Sequence, residues 1–387
     1  MKTILLVSHV STVHGPPNKF YEYLKDKYKV YTIFHPIVPK DNRKSVIYDG
    51  KKEFTFKIPP VIQYPFEGLY GLIFWYKYFK LPPKIDLAIC FDSLAYFHTY
   101  LSKILLRIDK IVYYNVDYSK KRFSNVLMNV IYQYITKFSY ITCDYFFAFS
   151  NKFVEEVDPT GKYAYKHFAI KPTIDLKSVK RNVKKYPYSL VYAGSIDYGT
   201  INFSPLLKAL SQLKKENISF ILDVYGKTGA QSTIRNEIRM LNLDDRIFFR
   251  GVLDNYILTS AILAKYTIGI ASYATTSDAH TPDHSFMNKG LTGKLVDYIG
   301  AGLPIISTRI NDSFLLIDKN KIGFSVIDAD DWYKSIKTLF FDKSLYKIYS
   351  KNALRFAKNY DTDKLLEPVF RKILLKTRSI ACLQENH

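Results

Sequence analysis

Twice along this chain, short apolar runs alternate with stretches of helical spacing, and that alternation limits the fold more than any other feature. In the first half the runs are 4–9, 29–35, 87–91, 110–114 and 145–150, with a helical stretch such as 18–27 between them. In the second half 190–193, 220–225, 246–249, 266–270 and 305–307 repeat the style, with helices expected over 204–215, 233–241 and 255–265. Runs that are apolar throughout suit strands buried on both faces, which is the condition of a parallel sheet. The pattern therefore predicts an α/β fold with a covered parallel sheet in each of two domains, and 387 residues suffice for two cores. Residues 177–187, basic, polar and ended by proline, are expected to link them. From residue 332 the chain reads as helical to about 375, and 379–387 are expected to fray.

The charge is unusual: 56 Lys plus Arg against 35 Asp plus Glu gives +21. Such a field favours anionic partners, namely nucleotides, lipid phosphates, acidic membranes or nucleic acid, and a lysine-rich composition without functional meaning accounts for it equally well. Nucleic acid is not expected, because no stacking aromatics amid basic residues form an RNA-binding motif. Cys90, Cys143 and Cys382 are odd in number and far apart, which argues against a disulfide framework or zinc site and fits a reducing cytoplasm. The apolar start ends at His9 and reads as a strand, not a cleavable signal, and no run approaches the ~20 residues of a membrane helix. Residues 66–84 are densely aromatic with lysines at one end, the composition of a segment lying on the cytoplasmic face of an anionic membrane, and 118–122 add a basic patch. A core helix with surface lysines fits 66–84 equally well.

The segment GLTGKLVDYIGAGLPIISTR at 290–309 puts glycines, a lysine and a carboxylate at one loop-to-helix junction. Gly290, Leu291, Thr292 and Gly293 read as a loop, 294–301 as a short helix with Leu295, Ile299 and Tyr298 inward, and Gly302-Leu303-Pro304 as its stop before a strand. The first N–H groups of such a helix lack intrahelical partners and carry the positive dipole end, so they can hold a phosphate. Lys294 would add a full charge, unless it is a solvated lysine. Asp297 could accept hydrogen bonds from ribose hydroxyls, or answer the helix dipole from the first turn.

The run resembles the donor-binding signature of GT-B glycosyltransferases, the large group that uses nucleotide-sugar donors and commonly retains anomeric configuration. Asp297 stands where that group has its ribose-binding carboxylate, and Gly302, Pro304, Ser307 and Thr308 match the strand that follows. Many members carry a glutamate eight residues before that carboxylate, contacting the donor sugar; here Lys289 holds the position, followed by the matching Gly290. Residues 191–197, 224–226, 248–251 and 271–273 resemble, in order, the earlier strands of the same nucleotide domain.

The resemblance implies two Rossmann-like domains facing a cleft, at 1–176 and 188–355, with a C-terminal helix at 356–378 returning to the first. It implies a hexosyltransferase that takes a UDP- or GDP-sugar as substrate, needs no cofactor or metal, and acts on a glycan or lipid-linked acceptor. Gly194 and Ser195 would face the diphosphate, or form a plain turn; Lys289 would neutralise phosphate, or face water. On the acceptor side the glycine loop falls on His14, Gly15, Pro16 and Pro17, whose prolines are expected to stiffen it. Asp117 is the first catalytic candidate, against a helix N-cap, with His14 and Asp92 behind it. His280, Asp283 and His284 lie in a polar loop at 272–289 that reads as flexible rather than metal-binding. The alternatives are a nucleotide-sugar epimerase of the same fold and a non-catalytic basic protein binding anionic lipid or nucleic acid.

Overall fold

The computed structural model describes residues 1–9, 15–35, 44–58, 63–79, 84–116, 123, 125–149, 151–179, 183–194, 196, 201–226, 231–252, 261–274, 291–310 and 314–375. It divides into two compact units, Met1–Lys171 with Thr362–His387, and Pro172–Asp361. The first unit runs β1 (Thr3–Ser8), α1 (Pro16–Leu24), β2 (Lys29–Phe34), β3 (Ser45–Tyr48), β4 (Glu53–Phe56), α2 (Gln63–Phe79), β5 (Ile85–Cys90), α3 (Ser93–Leu101), β6 (Ile108–Asn115), α4 (Val126–Thr142), β7 (Tyr145–Ala148), α5 (Asn151–Val157) and β8 (His167–Ala169). Its strands form an eight-stranded sheet in the order β4-β3-β2-β1-β5-β6-β7-β8. β1 lies parallel between β2 and β5, with Ile4 opposite both Val30 and Leu87, so the strand order reverses beside β1. Ligands of open α/β sheets gather beyond the strand carboxyl ends at such a reversal.

β3 and β4 pair antiparallel, with each other and with β2, a departure from the wholly parallel sheet expected. Their burial alternates or fades, as it does on a sheet edge, so four-residue runs such as Glu53–Phe56 carry little apolar signal. Pro16 and Pro17 do not stiffen a loop; they open α1, where the missing N–H costs nothing. The C-terminal helix Thr362–Leu375 buries Leu366, Phe370, Ile373 and Leu374 against Phe20 and Phe147 of the first unit. Lys2 Nζ donates to the Leu374 carbonyl (2.6 Å), and Tyr23 Oη to Glu367 (2.8 Å).

The second unit runs β9 (Ser189–Ala193), α6 (Ser204–Lys215), β10 (Ile221–Tyr225), α7 (Gln231–Met240), β11 (Ile247–Gly251), β12 (Ile268–Ala271), α8 (Gly293–Gly300), β13 (Ile305–Thr308), α9 (Leu315–Lys319), β14 (Gly323–Val326), α10 (Ala329–Phe341) and α11 (Lys343–Ala357). Its six-stranded sheet has the order β11-β10-β9-β12-β13-β14 and pairs parallel throughout. One face is sealed by α6 and α10, with Leu206, Leu210 and Trp332 fully buried; the other by α8 and α11, with Leu295, Ile299 and Ala353. The described residues of 177–187 pack into this unit: Val179 joins its core, and Lys185 Nζ donates to the carbonyls of Ala264 (3.1 Å) and Tyr266 (2.9 Å). Most of the helix expected at 255–265 lies outside the described residues.

Candidate functional site

Three neighbouring strands of the second unit end in or run into glycine, at Gly194, Gly226 and Gly251; at Gly226 no side chain fits, and at Gly194 one would have to displace Lys294. Gly194 N–H donates to the Tyr225 carbonyl (2.9 Å) and Gly226 N–H to the Gly251 carbonyl (2.8 Å), so the strand ends lie one against the next. A Cβ on Gly226 would fall 1.8 Å from the Gly194 oxygen, and one on Gly194 2.6 Å from Lys294 Cε. Gly194 has φ +153° and Gly226 φ +152°, backbone that side chains rarely adopt. The turn at 194 is thus shaped to let a lysine lie across bare backbone.

That lysine is on the first turn of α8. Thr292 is the N-cap in extended conformation, but its side chain caps nothing and instead hydrogen-bonds Tyr273 Oη (2.7 Å). The first turn holds no acid, so no side chain of the cap or first turn offsets the positive end of the helix. Lys294 Nζ sits 3.8 Å from the centroid of the Tyr192 ring and 5.1 Å from that of Tyr273. Burial pushes its ammonium down to about 7, and among the described residues no carboxylate opposes that shift. Leu291, just before the cap, is buried and anchors the loop end.

The helix is held in place from below. Tyr298 Oη accepts from Ala193 N–H (2.8 Å) and donates to the Ile270 carbonyl (2.9 Å), tying α8 to β9 and β12. Its C-terminus closes as a Schellman turn: Gly302, at φ +70°, donates to Ile299, and Leu303 to Tyr298. Asp297 is partly exposed and sits in the second turn, one turn beyond Lys294, too far along to serve as a first-turn dipole residue. Gly194, Leu291, Thr292, Gly293, Lys294 and Asp297 are therefore gathered on one strand-end and helix junction. Tyr192 and Tyr273, which wall the lysine, were missed; only strand pairing brings the Tyr192 ring to the helix.

In the first unit Asp92 caps α3, accepting from Ala95 N–H (2.7 Å), and also takes hydrogen bonds from His9 N–H (3.1 Å) and Nδ1 (2.8 Å). His9 Nε2 hydrogen-bonds to Glu67 of α2, whose side chain is fully buried. Burial alone would lower the His9 pKa; the charges of Asp92 and Glu67 outweigh it and raise the imidazole to about 10. Asp92 is held at about 2, since His9 and the hydrogen bonds it accepts outweigh its burial, while burial raises Glu67. The Asp92 carboxylate is thus engaged with a cap and an imidazolium. Beside the trio lies a cavity of about 20 Å³ bounded by His35, His98 and Thr99, room for one water next to Glu67 Oε2, which has no hydrogen-bond partner among the described residues. His9 and Glu67 were also missed, one read as the end of a strand and the other as part of an interfacial run.

Gly15, at φ +88°, is the N-cap of α1. Asp117, His14, Ser195, Lys289 and Gly290 lie outside the described residues, as do His280, Asp283 and His284. Among the described residues no group of three or more His, Cys, Asp or Glu is arranged to hold a metal ion.

The family model for glycosyl transferases group 1 matches residues 187–342, which include the glycine strand ends and all of α8. Residues 187–342 of the second unit are thus similar to glycosyl transferases group 1. No curated protein sequence matches the chain. Similar solved structures include a sucrose-phosphate synthase from Thermosynechococcus elongatus, at 12% identity over 97% of this chain and 100% of that one, with a TM-score of 0.67. HepE from Anabaena, in complex with UDP, matches at 13% identity over 96% and 99%, with a TM-score of 0.65. The pneumococcal O-GlcNAc transferase GtfA, in complex with UDP and GlcNAc, matches at 17% identity over 86% of this chain and 63% of its own length, with a TM-score of 0.59. The chain thus spans under two thirds of the pneumococcal enzyme. Likeness at such identities is one of fold, and the fold is GT-B, an α/β architecture of two Rossmann-like units.

Proposed function

We propose that this chain transfers a hexosyl group from a UDP- or GDP-sugar to a glycan or a lipid-linked saccharide, on the cytoplasmic side of a membrane, with retention and without metal. The observation that carries the donor half is Lys294: an ammonium desolvated to a pKa of about 7, with no carboxylate set against it among the described residues, at the uncapped start of α8. A cation so placed gains its counter-charge when a diphosphate arrives. Glycosyl transfer needs just this, because the leaving nucleoside diphosphate accumulates negative charge as the glycosidic bond breaks, and preorganised N–H donors with a lysine stabilise it without a metal. Asp297, one turn on and partly exposed, is assigned to the ribose hydroxyls. UDP in the HepE and GtfA structures supports a uridine donor. Retention and the acceptor class rest on the sequence resemblance.

Isothermal titration of UDP and GDP in EDTA tests the donor site, and mass spectrometry of products from a panel of nucleotide-sugars tests transfer. Absence of binding by both nucleotides would remove the proposal; a product isomerised without acceptor would replace it with an epimerase.

A further inference from the structure

Three helices of the first unit are apolar on the side that faces water. α2, α3 and α4 pack side by side, α3 in the middle, and all three contribute to the core on one face of the sheet, through Trp75, Tyr96 and Tyr140. A surface helix should turn a polar stripe outward. Here Leu69 and Ile73 of α2, Ile104 and Leu105 in the turn after α3, and Val130 and Tyr134 of α4 are all exposed, Ile104 to 88% and Tyr134 to 72%. Tyr76 Oη donates to the Leu105 carbonyl (2.6 Å), so α2 and that turn form one continuous surface.

Within the three helices the exposed charges have one sign. Within the three helices Glu67 is the sole acid, and its side chain is buried against His9. Lys77 on α2, Lys137 on α4 and Arg107 at the end of the turn are exposed; Lys103, in the turn, lies 3.5 Å from Asp144 just beyond α4. A second copy packed on this face about a twofold axis would bring the same cations together. Among the described residues no helix is long and apolar enough to cross a membrane. We propose that the outer faces of α2, α3 and α4 form a docking surface for an anionic lipid bilayer, the apolar residues entering the headgroup boundary while Lys77, Arg107 and Lys137 meet lipid phosphates. The proposal deepens the functional reading by naming the surface on which the acceptor is met, and rests on that reading only for the acceptor.

The test is cosedimentation of the full chain with phosphatidylcholine vesicles with or without phosphatidylglycerol, with UDP binding measured on the same preparations. Binding is expected to rise with phosphatidylglycerol and fall with salt. L69S/I104S/Y134S should lower partition at least about tenfold, and K77E/K137E about fivefold per lysine, with wild-type melting and UDP affinity because every substituted side chain is exposed. Vesicle binding by the serine variant equal to wild type, no binding by the wild type, or a wild-type dimer that the serine variant dissolves would each overturn the proposal. Loss of UDP binding with vesicle binding intact would remove the donor reading alone.

Discussion

The two units place a cation beside the reversal of strand order, half-buried Lys294 in one and buried His9 in the other, and use it in opposite ways. In the second, beside the reversal at β9 and β12, Lys294 is desolvated over Tyr192 with no carboxylate opposing it among the described residues. In the first, beside the reversal at β1 and β5, His9 is enclosed by Asp92 and Glu67. An unopposed, partly desolvated cation costs stability and can recover it from an anionic ligand; a cation enclosed by two carboxylates has its counter-charge and holds elements together. Equivalent places in a doubly wound sheet therefore do not carry equivalent roles. The carboxylates decide.

The largest effect that would break this contrast is on stability. His9→Ala leaves Glu67 buried and uncompensated and is expected to cost about 3–5 kcal/mol, read as a fall in denaturation midpoint. The sign of its pH dependence follows from the shift: with the folded pKa raised from 6.5 to about 10, the contribution is complete below pH 6.5 and is lost as pH rises through 10. Wild type should lose stability over that interval relative to His9→Ala; parallel stability curves would mean that His9 is not charged by its neighbours.

Next in size is the donor site. Lys294→Ala and Asp297→Ala should each weaken UDP binding by about 1.5–3 kcal/mol, the range for hydrogen bonds to charged groups. Removing Lys294 should also raise thermal stability without nucleotide near pH 6, since its folded pKa of about 7, against 10.5 ordinarily, costs stability below pH 7 and that cost disappears as pH rises toward 10.5. A Lys294→Ala chain that binds UDP normally and melts lower would mark the lysine as structural, and the contrast with His9 would collapse.

The smallest effect is a proton. A diphosphate raises the Lys294 pKa from about 7, so binding at pH 8 should take up protons and affinity should fall by up to about tenfold per pH unit above 7. Calorimetry in buffers of different ionisation enthalpy measures the uptake. Equal apparent enthalpies at pH 8 in wild type would show that the lysine does not meet the phosphates.

Asp117→Asn remains a test of catalysis as distinct from binding. A strong loss of kcat with unchanged UDP affinity is expected if Asp117 touches the reacting sugar.

Much of the second unit was legible from residue order alone. The α6 helix falls on 204–215, where its spacing puts it, and Gly302 ends α8 because a left-handed residue is needed there. Apolar runs located the central strands, which are buried on both faces. The edge strands β4 and β8, and β3 next to the edge, escaped for the same reason in reverse, being short and half covered.

By itself, then, the sequence determined the alternation of strands and helices, the glycine-led loop, the stop of α8 and a resemblance to nucleotide-sugar enzymes, because periodicity, capping and turn chemistry act over a few residues. Only the tertiary structure decided what those residues face. Lys294 loses part of its water because the order β9-β12 sets the Tyr192 ring under α8, and Asp92 is drawn into a structural trio because α2 delivers Glu67 to His9 from 58 residues away. Desolvation and charge pairing depend on neighbours distant in the chain, and local pattern carries no record of them.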